Sequence, residues 1–121
     1  TYTFSWRSPM QRRLGQRVRT DVRVRAKELV FTSECRAIEV STTGVVLDRG
    51  KKLSTKDMTV FMTLQIQLPD RPEGLKAVGR PVWSFNTQQA VHLVEIDDVD
   101  RLSIAEHMDA VMRQRRIKAL S

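Results

Sequence analysis

The chain has 121 residues, 40% of them hydrophobic and 29% charged, which is the composition of one globular domain with a core of modest size. No apolar run approaches the ~20 residues of a membrane helix, so membrane insertion is not expected. The net charge of +7 is confined to one end: residues 1–27 hold eight bases (seven of them Arg) against the single acid Asp21, whereas the remaining residues carry 13 bases and 13 acids. An excess made of Arg points to planar, bidentate recognition of phosphate or of a base edge. The chain opens Thr1-Tyr2-Thr3-Phe4-Ser5-Trp6-Arg7, with neither an initiator Met nor a signal-peptide core, and is expected to be a trimmed chain or a piece of a longer one. Cys35 is the only cysteine, which rules out an internal disulfide and favours a reducing, cytoplasmic setting.

In chain order, residues 1–17 form a basic arm that ends in Arg12-Arg13-Leu14-Gly15-Gln16-Arg17. Val18, Thr20, Val22, Val24 and Ala26 then alternate with Arg19, Asp21, Arg23, Arg25 and Lys27, the pattern of a strand with one buried and one charged face. Arg36-Ala37-Ile38-Glu39-Val40 continues in extended form with Ile38 and Val40 facing inward. Ser41-Thr42-Thr43-Gly44 carries turn chemistry, and Val45 to Leu47 is a further short strand. The clearest alternation runs from Val60 to Leu68. A loop is expected over Pro69 to Gly74, followed by extended runs over Ala77 to Phe85 and Ala90 to Ile96. Pro81 suggests an edge strand or a bulge, and Gly79 a bulge or bend.

At Asp100 the period changes. Ser103-Ile104-Ala105-Glu106 fits a capping box, with Asp100 as a competing helix start, and Leu102, Ala105, Met108 and Met112 make an apolar stripe. Arg113, Arg115, Arg116 and Lys118 suit the C-terminal end of the helix dipole. The expected architecture is therefore mainly β: a small antiparallel barrel of about six strands over 18–99, a basic arm over 1–17 and a C-terminal helix over 100–118.

Material for catalysis is scarce. His92 reads as a strand residue, His107 as a helix-face residue, and neither has metal-ligand spacing to a Cys, Asp or Glu. Asp97-Asp98-Val99-Asp100 lacks the Gly and the terminal Glu of a calcium loop and reads as a helix-capping turn. Cys35 reads as a small, half-buried residue. There is no Gly-rich phosphate loop. Neither enzymatic activity, nor a metal, nor a cofactor is expected.

The arm and the Ser-Thr-Thr-Gly turn carry the resemblance that matters. Arg13-Leu14-Gly15-Gln16-Arg17 followed, after 21 residues, by Glu39-Val40-Ser41-Thr42-Thr43-Gly44 resembles the R-x-x-x-R and D/N-x-S-x-x-G signature of PilZ domains, bacterial receptor modules for cyclic di-GMP. Arg12 supplies the doubled arginine often seen at the motif's start. Leu64-Gln65-Ile66-Gln67-Leu68-Pro69 and Gly79-Arg80-Pro81-Val82-Trp83-Ser84 resemble two strands of the family, so that the likeness covers roughly residues 11–112. It implies a PilZ-like barrel in which Arg13 and Arg17 hold the phosphates and guanines of cyclic di-GMP. Arg12 assists, Ser41 hydrogen-bonds the ligand and Gly44 lets the backbone turn. The family's Asp or Asn is Glu39 here, one methylene longer, and the strand over Ala90 to Ile96 departs from the usual small-then-Phe ending. The function implied is a sensor that couples second-messenger binding to a protein partner or an attached domain. Two alternatives stand beside it: a degenerate relative that has lost the nucleotide and acts as a protein adaptor, and a nucleic-acid-binding domain that uses the arm as its electrostatic footprint.

Overall fold

The computed structural model describes residues 17–53 and 60–120. Six strands, β1 (Val18–Glu28), β2 (Phe31–Val40), β3 (Gly44–Asp48), β4 (Met62–Leu68), β5 (Arg71–Phe85) and β6 (Gln88–Ile96), precede one helix, α1 (Asp98–Leu120). The strands close into an antiparallel barrel in the order β1-β2-β3-β6-β5-β4, with β1 and β4 paired to complete the circle. Closure satisfies the backbone of every strand without leaving an edge.

Alternation dictates most of the core. Val22, Val24 and Ala26 of β1, and Met62, Leu64, Ile66 and Leu68 of β4, point inward and are buried, while the charged residues between those of β1 face out. The phase of β2 is the exception. A bulge between Ala37 and Glu39 in the pairing with β3 shifts the alternation, so Cys35, Ala37 and Val40 are buried and Ile38 is only partly so, contrary to the expectation that Ile38 faces the core. Pro81 lies within a closed barrel and not on an edge strand. The ladder accommodates it through register shifts at Val78/Gly79 and Pro81/Trp83. The expected loop over Pro69 to Gly74 shrinks to a two-residue turn, Pro69-Asp70, and β5 begins at Arg71.

Consecutive antiparallel strands sort the connections onto two poles. One pole gathers the start of β1, the β2–β3 turn, the β4–β5 turn and the end of β6. The other gathers the β1–β2 turn, the end of β3, the start of β4 and the β5–β6 turn. The helix lies across the first pole. Ile104 and Met108 enter the core cluster, and burial of Ile104 contributes roughly 1.5–3 kcal/mol. Arg71 fastens the helix to the β4–β5 turn through Asp100 Oδ1 (3.0 Å) and Ser103 Oγ (3.0 Å), and Arg101 donates to the Thr42 carbonyl of the β2–β3 turn. The helix starts at Asp98 rather than at Ser103. Ser103 lies in its second turn and donates to the Val99 carbonyl (3.2 Å), so it is no cap, and the helix extends beyond 100–118 at both ends.

His107 is half-buried against β1, its Nε2 2.8 Å from Thr20 Oγ1. Burial lowers its pKa, against a smaller opposing pull from Asp70. The unfolded chain therefore binds the proton more readily than the folded one, and stability is full above the ordinary His range and falls as pH drops through it. We expect the denaturation midpoint to decline from pH 7.5 to pH 5.5, and His107→Gln to flatten that slope. An equally steep decline in the variant would assign the loss to other groups.

Candidate functional site

The β2–β3 turn at the helix-covered pole is built around Ser41. Its side chain is buried, and its Oγ accepts from the amides of Thr43 (3.2 Å) and Gly44 (3.0 Å) while lying 3.2 Å from the Gly44 carbonyl. The Ser41 amide donates to that same carbonyl (2.8 Å), and the Thr43 carbonyl accepts from the Leu93 amide of β6 (2.9 Å). The hydroxyl thus serves as an internal scaffold that replaces water for two turn amides. Arg101 then pins the outside of the same turn to the helix. A loop tied on three sides presents a fixed surface, as a binding site on a small barrel needs.

Gly44 does not adopt a left-handed conformation, so the expected role in turning the backbone is corrected to one of close approach. A Cβ there would sit 2.9 Å from the carbonyl oxygen of Val91, a backbone atom that cannot swing aside. Gly44→Ala is expected to cost about 1–3 kcal/mol, because β3 must move off β6 to admit the methyl group. A chemical denaturation series measures this, and a change below about 0.5 kcal/mol would show that the strands adjust freely.

Beside this turn, on the wall formed by β3, β6 and β5, opens a cleft of about 380 Å³. Arg17 stands at its mouth, and Ser41, Thr43, Gly44, Arg80, Trp83 and His92 contribute to its lining. Arg17 and the turn are far apart in sequence and meet here because β1 begins where β2 ends, with Val18 paired to Val40. Glu39 faces Arg17, its Oε1 3.5 Å from Arg17 Nε, both side chains partly exposed. Such a pair is worth about 0–1 kcal/mol and yields readily to a stronger anion. Arg80 places a second guanidinium on the same cleft, and Trp83 an aromatic face. A cation pair with an aromatic surface suits a ligand that is both anionic and flat.

Of the residues singled out in the sequence, Arg17, Ser41 and Gly44 line this cleft and Glu39 sits beside Arg17. Arg12 and Arg13 lie outside the described residues. Arg80, Trp83 and His92 escaped the sequence reading as site residues. They come from β6, which pairs with β3 far along the sequence, and from β5, which lies beyond it in a bulged register. Cys35 is buried in the middle of β2, and burial pushes its thiol up to about 11, so it is a poor nucleophile. Among the described residues no group of three or more His, Cys, Asp and Glu side chains is placed to hold a metal.

The architecture decides the family likeness. The barrel with its terminal helix superimposes on the PilZ domain of CeSA from a cellulose-synthesizing bacterium with a TM-score of 0.61 at 12% identity, over 80% of this chain and 98% of that one. The chain has the PilZ-domain fold. The Bacillus subtilis inhibitor of motility MotI/DgrA aligns with a TM-score of 0.67 at 16% identity over 83% of this chain. The alignment spans 49% of that protein, so this PilZ-fold chain matches about half its length. An uncharacterized Legionella protein, Lpg0364, aligns with a TM-score of 0.54 at 11% identity, over 84% of this chain and 98% of its own. No protein-family model matches the sequence, and no curated protein matches it either. The PilZ likeness is therefore one of fold, in which Arg17 immediately precedes β1 and the Ser41–Gly44 turn joins β2 to β3.

Proposed function

We propose that this PilZ-fold domain binds cyclic di-GMP between its N-terminal arm and the cleft beside the Ser41–Gly44 turn, and passes the binding event to a protein partner or attached domain. The observation that carries the reading is the convergence of Arg17, the Ser41-braced turn, Arg80 and Trp83 on one cleft. A cyclic dinucleotide offers two phosphates, two guanine Hoogsteen edges and two flat faces, each matched by a guanidinium fork or an aromatic surface. In this reading the cleft takes part of the ligand, and Arg13 and Arg12, which precede Arg17 in the sequence, hold the rest. The role is one of recognition without catalysis, in the cytoplasm, where the nucleotide is found.

Isothermal titration with cyclic di-GMP at physiological salt, with GTP as control, tests this. Saturable heat with a stoichiometry of one or two nucleotides per chain supports it. No heat at high micromolar ligand overturns it.

A second reading is favoured by one specific contact. Glu39, longer than the Asp or Asn of the PilZ signature, reaches Arg17 and partly neutralises it. In an adaptor that has lost the nucleotide, this ion pair would be the resting state of the site. Nucleic-acid binding through the arm remains the third reading, distinguished by affinity that falls steeply with salt.

A further inference from the structure

The pole opposite the candidate site is apolar where a solvated barrel end would be polar. Its β1–β2 turn consists of Leu29 and Val30, 84% and 86% exposed, followed by exposed Phe31. Val60 and Phe61, at the entry to β4, and Phe85, at the end of β5, are exposed at the same pole. Leu29 and Phe61 flank one shallow cleft together with Lys27. The β5–β6 turn joins this surface through the Arg49 and Leu53 amides, which donate to the carbonyls of Thr87 and Asn86.

The turn itself is locally unfavourable. Leu29 has a φ of 47°, a left-handed conformation that favours Gly, Asn or Asp. The β5–β6 turn of the same length meets the same demand with Asn86 at φ 56°. At the β1–β2 tip the chain instead places two aliphatic side chains at its most protruding point, and departures from local preference of this kind concentrate at functional sites.

The charge around the tip is predominantly positive. Lys27, Lys51 and Lys52 are exposed, and no described acid pairs with them. The nearby acids are otherwise engaged: Glu28 with buried Arg49 (2.6 Å), Glu34 with Arg25 (2.9 Å), and Asp48 with the Gly50 amide (2.9 Å). A second copy of the chain would bring like charges together. The cleft beside Leu29 and Phe61, about 210 Å³, is too small to seat a peptide segment, whereas a planar interface accepts exposed side chains of this kind. We propose that this pole docks onto an anionic lipid surface, with Leu29, Val30, Phe31 and Phe61 at the acyl boundary and the three lysines at the headgroups. This is attachment without a membrane span, for no helix among the described residues is long and apolar enough to cross. Arg17 and the Ser41–Gly44 turn lie at the opposite pole, and the proposal holds whether or not their cleft binds a nucleotide.

The test is flotation of the full chain with vesicles of phosphatidylcholine containing 30% phosphatidylglycerol, against vesicles of phosphatidylcholine alone. The expected result is binding to the anionic vesicles, lost at least tenfold in Leu29→Asn/Val30→Gly and in Lys51→Glu/Lys52→Glu, each lysine near the surface being worth roughly fivefold. Asn suits the left-handed φ at position 29 better than Leu, which offsets the added freedom of Gly at position 30. The denaturation midpoint of the Asn-Gly variant should therefore be nearly unchanged, which separates lost docking from lost folding. Binding that persists in this variant would place attraction in the basic arm and overturn the proposal. So would equal binding to both vesicle types, or no binding at millimolar lipid. Self-association that the Asn-Gly change abolishes would assign the pole to a second copy instead.

Discussion

Arg49→Ala is expected to destabilise the fold by about 3–5 kcal/mol, the range for removing one member of a buried ion pair. Arg49 follows β3, and its side chain is only 7% exposed; its partner Glu28 is 15% exposed. The guanidinium reaches Glu28 Oε1 at the end of β1 (2.6 Å), Ser33 Oγ in β2 (3.0 Å) and the buried Gln89 Oε1 in β6 (2.7 Å). One side chain thus ties the end of β3 to β1, β2 and β6 at once. Alanine leaves the Glu28 carboxylate without its counter-charge and weakens the hydrogen bonding of Ser33 and Gln89, while the geometry that buried them persists. For a domain of this size, 1 kcal/mol corresponds to about 4 °C, so the melting temperature should fall by about 12 °C or more.

The partner experiment distinguishes charge from packing. Arg49→Met/Glu28→Leu removes both charges and keeps apolar bulk, and it should be markedly more stable than Arg49→Ala, because no unpaired charge remains. A loss below 1 kcal/mol in Arg49→Ala would mean that water replaces the guanidinium at no great cost.

The same pole shows where the sequence stops being readable. Val18 to Ala26 and Met62 to Leu68 were legible because strict alternation survives wherever a strand has one wet and one dry face. The β1–β2 hairpin was not, since Leu29-Val30 has no turn chemistry and resembles strand interior. The error over Ile38 arose at a bulge, which reverses the phase of a strand without leaving a mark in composition. Ser103 misled in the opposite sense, because it fits a cap but is engaged inside the helix by Val99 and Arg71. At the site, Arg17, Glu39, Ser41 and Gly44 could be read because they sit at linear spacings. Arg80, Trp83 and His92 depend on the register of β5 on β6, including a shift at Pro81/Trp83 that no spacing rule encodes. The importance of Gly44 was legible while its reason was not: the demand comes from Val91, across a strand pairing, rather than from the turn.

Under the proposed reading, Arg17→Ala is expected to weaken cyclic di-GMP binding by tenfold or more and to leave stability nearly unchanged. The two effects separate for a physical reason. Arg17 is exposed, and its ion pair with Glu39 at 3.5 Å is partly solvated, so the folded state loses at most about 1 kcal/mol with it. Against a phosphate or a Hoogsteen edge the same guanidinium makes charge-assisted bonds worth about 1.5–3 kcal/mol, which is roughly 10- to 150-fold in affinity. Arg17→Lys then asks what kind of contact is lost. A lysine keeps the charge but cannot form a planar fork or lie flat on a base, so near-native affinity would indicate simple charge attraction and a loss comparable to alanine would indicate bidentate or stacked recognition. Glu39→Gln completes the set by removing the internal competitor for Arg17. Tighter binding in this variant would mark Glu39 as a brake on the site, and weaker binding would mark its carboxylate as an acceptor for the guanine N–H donors. Unchanged affinity in Arg17→Ala would remove the arginine from the site and, with it, the argument that joins the arm to the cleft.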